Sequence, residues 1–407
     1  MFNKQWIISI ILIAYIQQSL CSLALFCYWG SWATYRASLG AFGVDQIDPT
    51  LCTHYVYAFT GLTDGVNVMA SVDPYLDMND CEGGGPTSRD SFRRFTRLRE
   101  VNPEAKFLLA VGGWNVGSVQ FSNLSLTNEG RQHFIVSVID YVIRFDFDGI
   151  DVDWEYPGHR EGSRPEDRDN YVLLIKELKE ALSSVVRAPG RSELLVTAAI
   201  PAAEMLLDIG YDLPELVNYI DYFNVMTYDY HTIADGMYTY HHSALNPMPS
   251  DTGDDAKKNW AYTFQYLSSK NLPLSKFTLG ISTYGHTYTL ADPLNYGLKA
   301  EITKLYPPGP YTQSAGFMSY PEICRKISEG AEVIFDWDAM APYAHLNDFW
   351  GCYDDADSAT EKAYFAGMNQ LGGIMIWAME ADDFRGECGK GIFPIINAVK
   401  NIFEILG

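Results

Sequence analysis

The chain has 407 residues, of which 47% are hydrophobic and 14% are aromatic, so it can bury one large core or two to three smaller ones. Its formal net charge at pH 7 is -22, which excludes nucleic acid and anionic membrane surfaces as preferred partners because like charges repel. That charge is compatible with a neutral or amine-bearing substrate.

The first segment of the chain is typical of a secretory signal peptide. Lys4 precedes an apolar stretch over residues 6–16, and small residues follow near Cys21 and Ser22. An uncleaved signal anchor is the alternative, but the stretch is short for a bilayer span. We therefore expect residues 1–22 to be a signal peptide and residues 23–407 to form a secreted, extracellular, monomeric protein.

Secretion would allow the cysteines to form disulfides and one asparagine to be glycosylated. Cys21 is expected to leave with the signal peptide, and the six remaining cysteines could form three disulfides whose pairing the spacing leaves open. Asn123 begins the sequence Asn-Leu-Ser, so it is predicted to be glycosylated.

Strand-like and helix-like segments alternate along the mature chain. Two segments place apolar residues on one helical face, namely Phe134, Val138, Tyr141, Val142 and Tyr171, Leu174, Ile175, Leu178, Leu182. Eight segments are rich in β-branched and aromatic residues, over 24–32, 54–62, 106–114, 147–155, 194–202, 222–230, 277–285 and 372–380. Eight strands that alternate with helices indicate an α/β fold, the parallel (β/α)8 TIM barrel.

The interval between the seventh and eighth strands is much longer than the others. It contains a Pro- and Gly-rich stretch over residues 305–316. A loop of this length inside a compact domain should contain structure of its own. We predict a small inserted subdomain over residues 286–352.

The fourth strand carries three carboxylates at alternate positions, Asp151, Asp153 and Glu155. Alternation directs these three into the barrel, and it directs the apolar residues between them toward the helices, namely Ile150, Val152 and Trp154. Carboxylates crowded in a low-dielectric interior cannot all stay ionised. Glu155 lies at the C-terminal end of the strand, where barrel enzymes carry out chemistry, so a catalytic role is favoured over an exposed edge or a metal site.

Other strand ends supply aromatic and polar side chains. Met226 and Tyr228 share a face at the end of the sixth strand, and Asp229 follows. Three tryptophans lie at or near strand ends, namely Trp32, Trp114 and Trp377. Aromatic faces stack on the C–H faces of sugar rings, so a polysaccharide substrate is indicated, although core packing would explain any one tryptophan.

The segment DGIDVDWE over 148–155 matches the D-G-x-D-x-D-W-E pattern of glycoside hydrolase family 18. Within that family the chain resembles the secreted animal, arthropod-like chitinases, with further matches over 108–114, 224–230, 282–288 and 372–384. The resemblance covers essentially the whole mature chain. It implies that the insertion between strand 7 and helix 7 is α+β, that chitin or N-acetylglucosamine oligosaccharides are the partners, and that no cofactor is needed.

The resemblance also implies roles for four catalytic residues. Glu155 is the expected general acid, and the acetamido oxygen of the substrate replaces an enzymatic nucleophile, a route that retains configuration. Asp153 is expected to orient the acetamido N–H, Asp151 to share a proton with Asp153, and Tyr228 to donate a hydrogen bond to the acetamido oxygen. The expected substrate-binding residues are Trp32, Tyr57, Gly113, Trp114, Met226, Asp229, Tyr284, His286 and Trp377.

The chain departs from the family pattern at a few positions. His286 stands where Arg is common and Ser314 where Glu is frequent, which bears on sugar contacts and chain-length preference. The resemblance implies the disulfides Cys27–Cys52 and Cys324–Cys388, which leaves Cys81 and Cys352 as the third expected pair.

Three alternative interpretations fit the sequence less well. Tandem histidines at 241 and 242 lack an HExxH motif or a Cys/His cluster, so no metal is expected. A carbohydrate-binding lectin that has lost hydrolysis usually shows a replaced acid, whereas Glu155 is present. An enzyme that cleaves the chitobiose core of N-glycans fits these motifs less well.

Overall fold

The computed structural model describes residues 23–63, 65, 67–85 and 87–406. The predicted signal peptide lies outside these residues. The strands are β1 (Ala24–Gly30), β2 (His54–Leu62), β3 (Met69–Ser71), β4 (Lys106–Gly112), β5 (Gly149–Asp153), β6 (Leu195–Pro201), β7 (Tyr222–Met226), β8 (Phe277–Ser282), β9 (Tyr284–Leu290), β10 (Ile302–Leu305), β11 (Phe317–Ser319), β12 (Glu332–Asp336), β13 (Ala341–Leu346), β14 (Phe349–Cys352) and β15 (Gly373–Trp377).

The α-helices lie mostly between the strands of the first sheet. They are α1 (Pro74–Asp77), α2 (Ser91–Thr96), α3 (Val119–Ser125), α4 (Asn128–Arg144), α5 (Asp167–Ser183), α6 (Glu204–Gly210), α7 (Leu213–Leu216), α8 (Trp260–Ser269), α9 (Tyr320–Ser328), α10 (Ala356–Met368) and α11 (Pro394–Leu406). Side chains fix several of their starts, since Thr127 accepts from the Gly130 N–H at α4 and Asn259 from the Tyr262 N–H at α8. No helix in the described ranges is long and apolar enough to cross a membrane.

Eight parallel strands close into a barrel, as predicted. Their order is β1, β15, β8, β7, β6, β5, β4 and β2, and β1 pairs with β2 to complete the ring. The short β3 adds to β2 as an antiparallel strand. The predicted (β/α)8 TIM barrel is confirmed, and it brings the C-terminal ends of the eight strands to one face of the molecule.

The main core lies between the barrel and its helices. Alternate residues of each strand point outward into it, as Leu25, Cys27 and Trp29 do from β1. The predicted stripe of α5 packs against this layer, since Tyr171, Leu174, Ile175, Leu178 and Leu182 are its buried apolar residues. The inward residues of β1 instead form a smaller cluster inside the barrel, which leaves room there for polar groups.

A second sheet is inserted between β8 and α10. Its strand order is β10, β9, β14, β13 and β12, and β11 pairs with the first residues of β9. Helix α9 belongs to the same segment. The α+β insertion between the seventh barrel strand and its helix is thereby confirmed. Because β9 starts directly after β8, its first residues extend from the barrel mouth into the new sheet.

Two disulfides link distant parts of the chain. Cys27 in β1 pairs with Cys52, and Cys324 in α9 pairs with Cys388 beyond β15. The expected third pair is wrong, because Cys352 is buried within β14 with its Sγ 3.9 Å from the His286 carbonyl oxygen, while Cys81 is exposed.

We expect the replacement of Cys324 and Cys388 by serine to lower the free energy of unfolding by about 2–4 kcal/mol. The bond closes a loop with a sequence separation of 64 residues, so its loss enlarges the freedom of the unfolded chain. Urea titration followed by tryptophan fluorescence measures the change, with Cys81→Ser, at an exposed position, as the control. An unchanged midpoint in the double variant would contradict this expectation.

Candidate active site

Strand β5 carries the acidic series into the barrel. Asp151 hydrogen-bonds to side chains of β1, β6 and β7 across the interior, while Ile150, Val152 and Trp154 lie in the outer core. The predicted division of the two faces of this strand is therefore what the structure shows. Asp153 and Glu155 follow on the inner side and are both buried.

Asp151 is fully buried within a network of hydroxyl and amide groups. Its Oδ2 accepts from the Tyr28 hydroxyl at 2.7 Å, and its Oδ1 accepts from the Thr197 hydroxyl at 2.5 Å. The Asn224 amide donates to the same Oδ1 at 3.4 Å. Burial raises the pKa of Asp151, and these three donors oppose that rise because they favour the ionised form.

Asp153, unlike Asp151, has a carboxyl oxygen without a donor. Its Oδ1 is buried and has no hydrogen-bond partner among the described residues. Burial, followed by the charges of Glu155 and Asp151, raises the pKa of Asp153 well above its usual value. The protonated form of Asp153 is therefore favoured, and its Oδ1 is a buried acceptor that no donor of the described residues occupies.

Glu155 stands just beyond the end of β5. Burial raises its pKa to about 7, while the Tyr156 hydroxyl and the Arg160 guanidinium act in the opposite direction. A carboxyl group with a pKa near 7 still carries a proton at the pH where a general acid is useful. Glu155 thus has the raised pKa that its expected role as the general acid requires.

Tyr228 occupies the barrel mouth beside these carboxyl groups. Its ring is buried, and its hydroxyl lies 3.8 Å from the Met375 Sδ. Gly280 makes room for that ring, since a Cβ there would approach Tyr228 Cε1 to 2.7 Å. Met226 packs against the same inner cluster, so the end of β7 delivers both predicted residues to one place.

Asp229, the next residue, gathers several donors on one oxygen. Its Oδ1 accepts from the Tyr284 hydroxyl at 2.6 Å and lies 2.8 Å from His286 Nε2. His242 Nδ1 lies 3.3 Å from the same oxygen. Although burial acts to raise the pKa of Asp229, the charges and hydrogen bonds of His286 and His242 hold it below its usual value.

Trp32 and Trp377 meet at the mouth of the barrel, and Phe59 joins them. Their ring centroids lie 6.1 Å apart, and Phe59 stacks on Trp32 at the same distance. Glu380 fixes this corner by accepting a hydrogen bond from the Gly30 N–H at 3.1 Å. Because 44% of Trp32 is exposed, the cluster presents an aromatic surface to solvent.

Trp114 follows the end of β4, and 60% of it is exposed. The Arg160 guanidinium lies 3.9 Å from the centroid of its ring and donates to the Trp114 carbonyl oxygen at 2.7 Å. Gly113 immediately precedes Trp114 in the chain. It needs to be glycine because a Cβ there would approach the Phe59 ring to 2.8 Å. Gly113 therefore acts by admitting Phe59 to the site.

The expectation for Tyr57 is wrong. Its ring is buried in the outer core against Trp29, and its hydroxyl donates to Asp77 Oδ1 at 2.5 Å. The register of β2 against β4 shifts between Tyr57 and Thr60, and the intervening Phe59 takes the place at the site. Ser314 is exposed beside β11.

The sequence analysis missed several residues of this site. Tyr28, Thr197 and Asn224 occupy inward positions of their strands, so strand alternation was a signal that could have found them. Arg160, His242 and Glu380 lie outside the strands, and nothing in their spacing points to the site. Asn123 is exposed on α3, and its glycosylation stays a prediction.

Buried carboxyl groups with raised pKa values beside exposed tryptophans, at the C-terminal face of a barrel, are the features of a glycoside hydrolase. The chain belongs to glycosyl hydrolases family 18, which matches residues 24–382. The endochitinase of Manduca sexta is 35% identical over 391 residues, covering 94% of this chain and 68% of that protein.

Two solved structures with this fold belong to proteins with different activities, one a chitinase and the other a pseudo-chitinase. The group IV chitinase of Ostrinia furnacalis in complex with allosamidin has a TM-score of 0.87 and 37% identity, covering 95% of this chain and 100% of its own. Human YKL-39, described as a pseudo-chitinase with retained chitooligosaccharide binding, has a TM-score of 0.85 and 31% identity, covering 94% and 100%. The fold therefore occurs both with and without hydrolysis.

Proposed function

We propose that this protein is an extracellular chitinase that hydrolyses β-1,4 linkages between N-acetylglucosamine units with retention of configuration. The observation that carries the proposal is the buried pair formed by Glu155, whose pKa burial raises to about 7, and Asp153, whose raised pKa favours its protonated form. The exposed Trp32 and Trp114 supply apolar faces for sugar rings at the mouth of the barrel. The extracellular assignment rests on the N-terminal sequence pattern.

The first step transfers the Glu155 proton to the glycosidic oxygen as the bond to the anomeric carbon breaks. Asp153 is a poor nucleophile while it is neutral, so the acetamido oxygen of the substrate attacks the anomeric carbon instead. The free Asp153 Oδ1 accepts the acetamido N–H, and the Tyr228 hydroxyl donates to the acetamido oxygen. As positive charge develops on the forming oxazolinium, the ionised form of Asp153 becomes favoured. The neighbouring carboxylate of Asp151 takes up the proton that Asp153 releases.

The second step restores the enzyme. Glu155, now a carboxylate, removes a proton from water, which attacks the anomeric carbon and opens the oxazolinium ring. Two successive inversions at the same carbon give retention. As the positive charge disappears, the proton held by Asp151 returns to Asp153. Every proton that leaves Glu155 also returns to it, so the cycle needs no external acid and no cofactor.

Product analysis on N-acetylglucosamine pentamers and hexamers tests this function. We expect shorter oligomers whose new reducing ends first appear in the β configuration, which NMR of freshly formed products detects. A lectin would bind the oligomers and release nothing. First products in the α configuration would contradict the retaining route.

The pH dependence of kcat/KM should show a descending limb with an apparent pKa near 7. Glu155 must be protonated to act, and its pKa of about 7 means that the active form dominates below that pH and is lost above it. Initial rates on a soluble oligomer between pH 4 and 9 measure this limb. A rate that stays constant up to pH 9 would show that another group is the acid.

Substitution of Arg160 should shift the descending limb of the same pH profile in a defined direction. Its positive charge lowers the pKa of Glu155, so Arg160→Gln should move the descending limb to higher pH, while Arg160→Lys should leave it nearly in place. Both variants loosen Trp114 and are expected to raise KM. A purely structural role of Arg160 would change KM without moving the limb.

A further inference from the structure

Two histidines and one carboxylate converge at the edge of the cleft. The ligand-type atoms of Asp229, His242 and His286 all lie within 4.8 Å of one another. Tyr284 adds a hydroxyl oxygen, since it donates to Asp229 Oδ1 at 2.6 Å. The residues come from three separate places, namely the loop after β7, the segment before α8 and strand β9.

The fold holds these side chains firmly. His286 lies on β9, which pairs with β14 on one side and with β11 on the other. His242 is buried, and its carbonyl oxygen accepts from the Tyr230 N–H at 3.0 Å. In contrast, 45% of the Asp229 side chain is exposed, so an ion can reach the cluster from the cleft without disturbing the core.

Both ring nitrogens of His242 have polar neighbours. Nδ1 lies 3.3 Å from Asp229 Oδ1 and 3.4 Å from the Asp229 backbone nitrogen, and Nε2 lies 3.4 Å from the Ser282 hydroxyl oxygen. These distances are long for hydrogen bonds whichever nitrogen carries the proton of the neutral ring. Nδ1 is therefore directed at the Asp229 carboxylate but is held there only by long contacts.

A cation bound between these side chains would replace the long contacts of His242 with metal–ligand bonds. We propose that Asp229, His242 and His286 form a binding site for a transition-metal cation of the Zn²⁺ type. Two imidazole nitrogens and one carboxylate oxygen are a ligand set that Zn²⁺ prefers, whereas Mg²⁺ and Ca²⁺ prefer oxygen ligands alone. Ser282 would act behind His242 by fixing the ring orientation through Nε2.

The position of the site gives the ion an inhibitory role. Asp229 and His286 belong to the expected substrate-binding residues, so an ion held by them occupies space that a sugar would use. We expect Zn²⁺ to raise KM for N-acetylglucosamine oligomers and to leave kcat unchanged. This consequence rests on the proposed function, whereas the binding site itself does not.

Isothermal titration calorimetry with ZnCl2 tests the site directly, on protein that carries no histidine tag. We expect one tight Zn²⁺ per chain, and we expect His242→Gln and His286→Gln each to weaken it at least about tenfold. His241→Gln is the matched control, because His241 is the sequence neighbour of His242 but lies near Asp336, at 3.4 Å, outside the cluster. MgCl2 tests whether the strongly acidic chain merely attracts cations, and it should give no comparable binding.

Two results would overturn the site. One is Zn²⁺ affinity that is unchanged in both His242→Gln and His286→Gln, and the other is Mg²⁺ binding as tight as Zn²⁺ binding. Only 16% of the His286 side chain is exposed, yet it borders the cleft, so His286→Gln stays informative where the buried His242→Gln fails to fold. Zn²⁺ binding without oligomer hydrolysis would refute the proposed function and leave the metal site standing.

Discussion

Replacing Glu155 with Gln is expected to lower kcat by roughly 10²–10⁴, near the upper end, while oligomers still bind. Gln keeps the shape of the side chain and an oxygen that can accept the Tyr156 hydroxyl, but it carries no transferable proton. The loss is large because the raised pKa of Asp153 disfavours the carboxylate form that a compensating nucleophile would need. Binding persists because it depends on Trp32, Trp114 and Trp377.

Single-turnover rates and calorimetric binding to an N-acetylglucosamine pentamer measure the two effects separately. Glu161→Gln is the matched control, since it removes an exposed carboxylate six positions along the chain and should leave kcat unchanged. Near wild-type cleavage by Glu155→Gln would mean that the acid is misassigned. If wild type itself binds and releases no product, the lectin alternative is correct.

Folding of the Gln variant can be verified by its stability. The pKa of Glu155 rises from about 4.5 in the unfolded chain to about 7 in the folded one, so wild-type stability falls as the pH rises through this window. Gln lacks that titration. The melting temperature of Glu155→Gln should therefore exceed that of wild type by more at pH 8 than at pH 4.

The barrel and its acidic strand could be predicted because both rest on periodic patterns. A period of two places Asp151 and Asp153 inside and Val152 outside whatever the neighbouring strands contain. The long interval before the last strand likewise required extra structure, which the second sheet supplies.

The wrong predictions concern features that no periodic sequence pattern encodes. The register shift between Tyr57 and Thr60 brings Phe59 to the site, and a single sequence gives no sign of such a shift. Pairing Cys81 with Cys352 assumed that every cysteine is oxidised, but burial within β14 keeps the Cys352 thiol beside a backbone carbonyl. The cluster of Asp229, His242 and His286 depends on three loops and strands that meet only in the folded chain.

Removing the acetamido group from the substrate should abolish cleavage altogether, an effect larger than that of any side chain. Well-oriented intramolecular groups reach effective molarities of about 10⁵–10⁸ M, and the acetamido oxygen is the nucleophile of the proposed route. Asp153 is a poor replacement, because its raised pKa disfavours the nucleophilic carboxylate form. A glucosamine pentamer and cellopentaose, measured against an N-acetylglucosamine pentamer, test this requirement.

Chemical re-acetylation of the glucosamine pentamer is the matched control, because it restores only the acetamido groups and should restore cleavage. Binding of the deacetylated pentamer can be measured in parallel, since the net charge of -22 favours an amine-bearing oligomer. Tight binding without cleavage would place the loss in the chemical step, as the substrate-assisted route requires. Cleavage of the glucosamine pentamer or of cellopentaose at rates comparable with the acetylated oligomer would instead require a nucleophile from the protein, and the assignment of Asp153 as a neutral orienting group would fail.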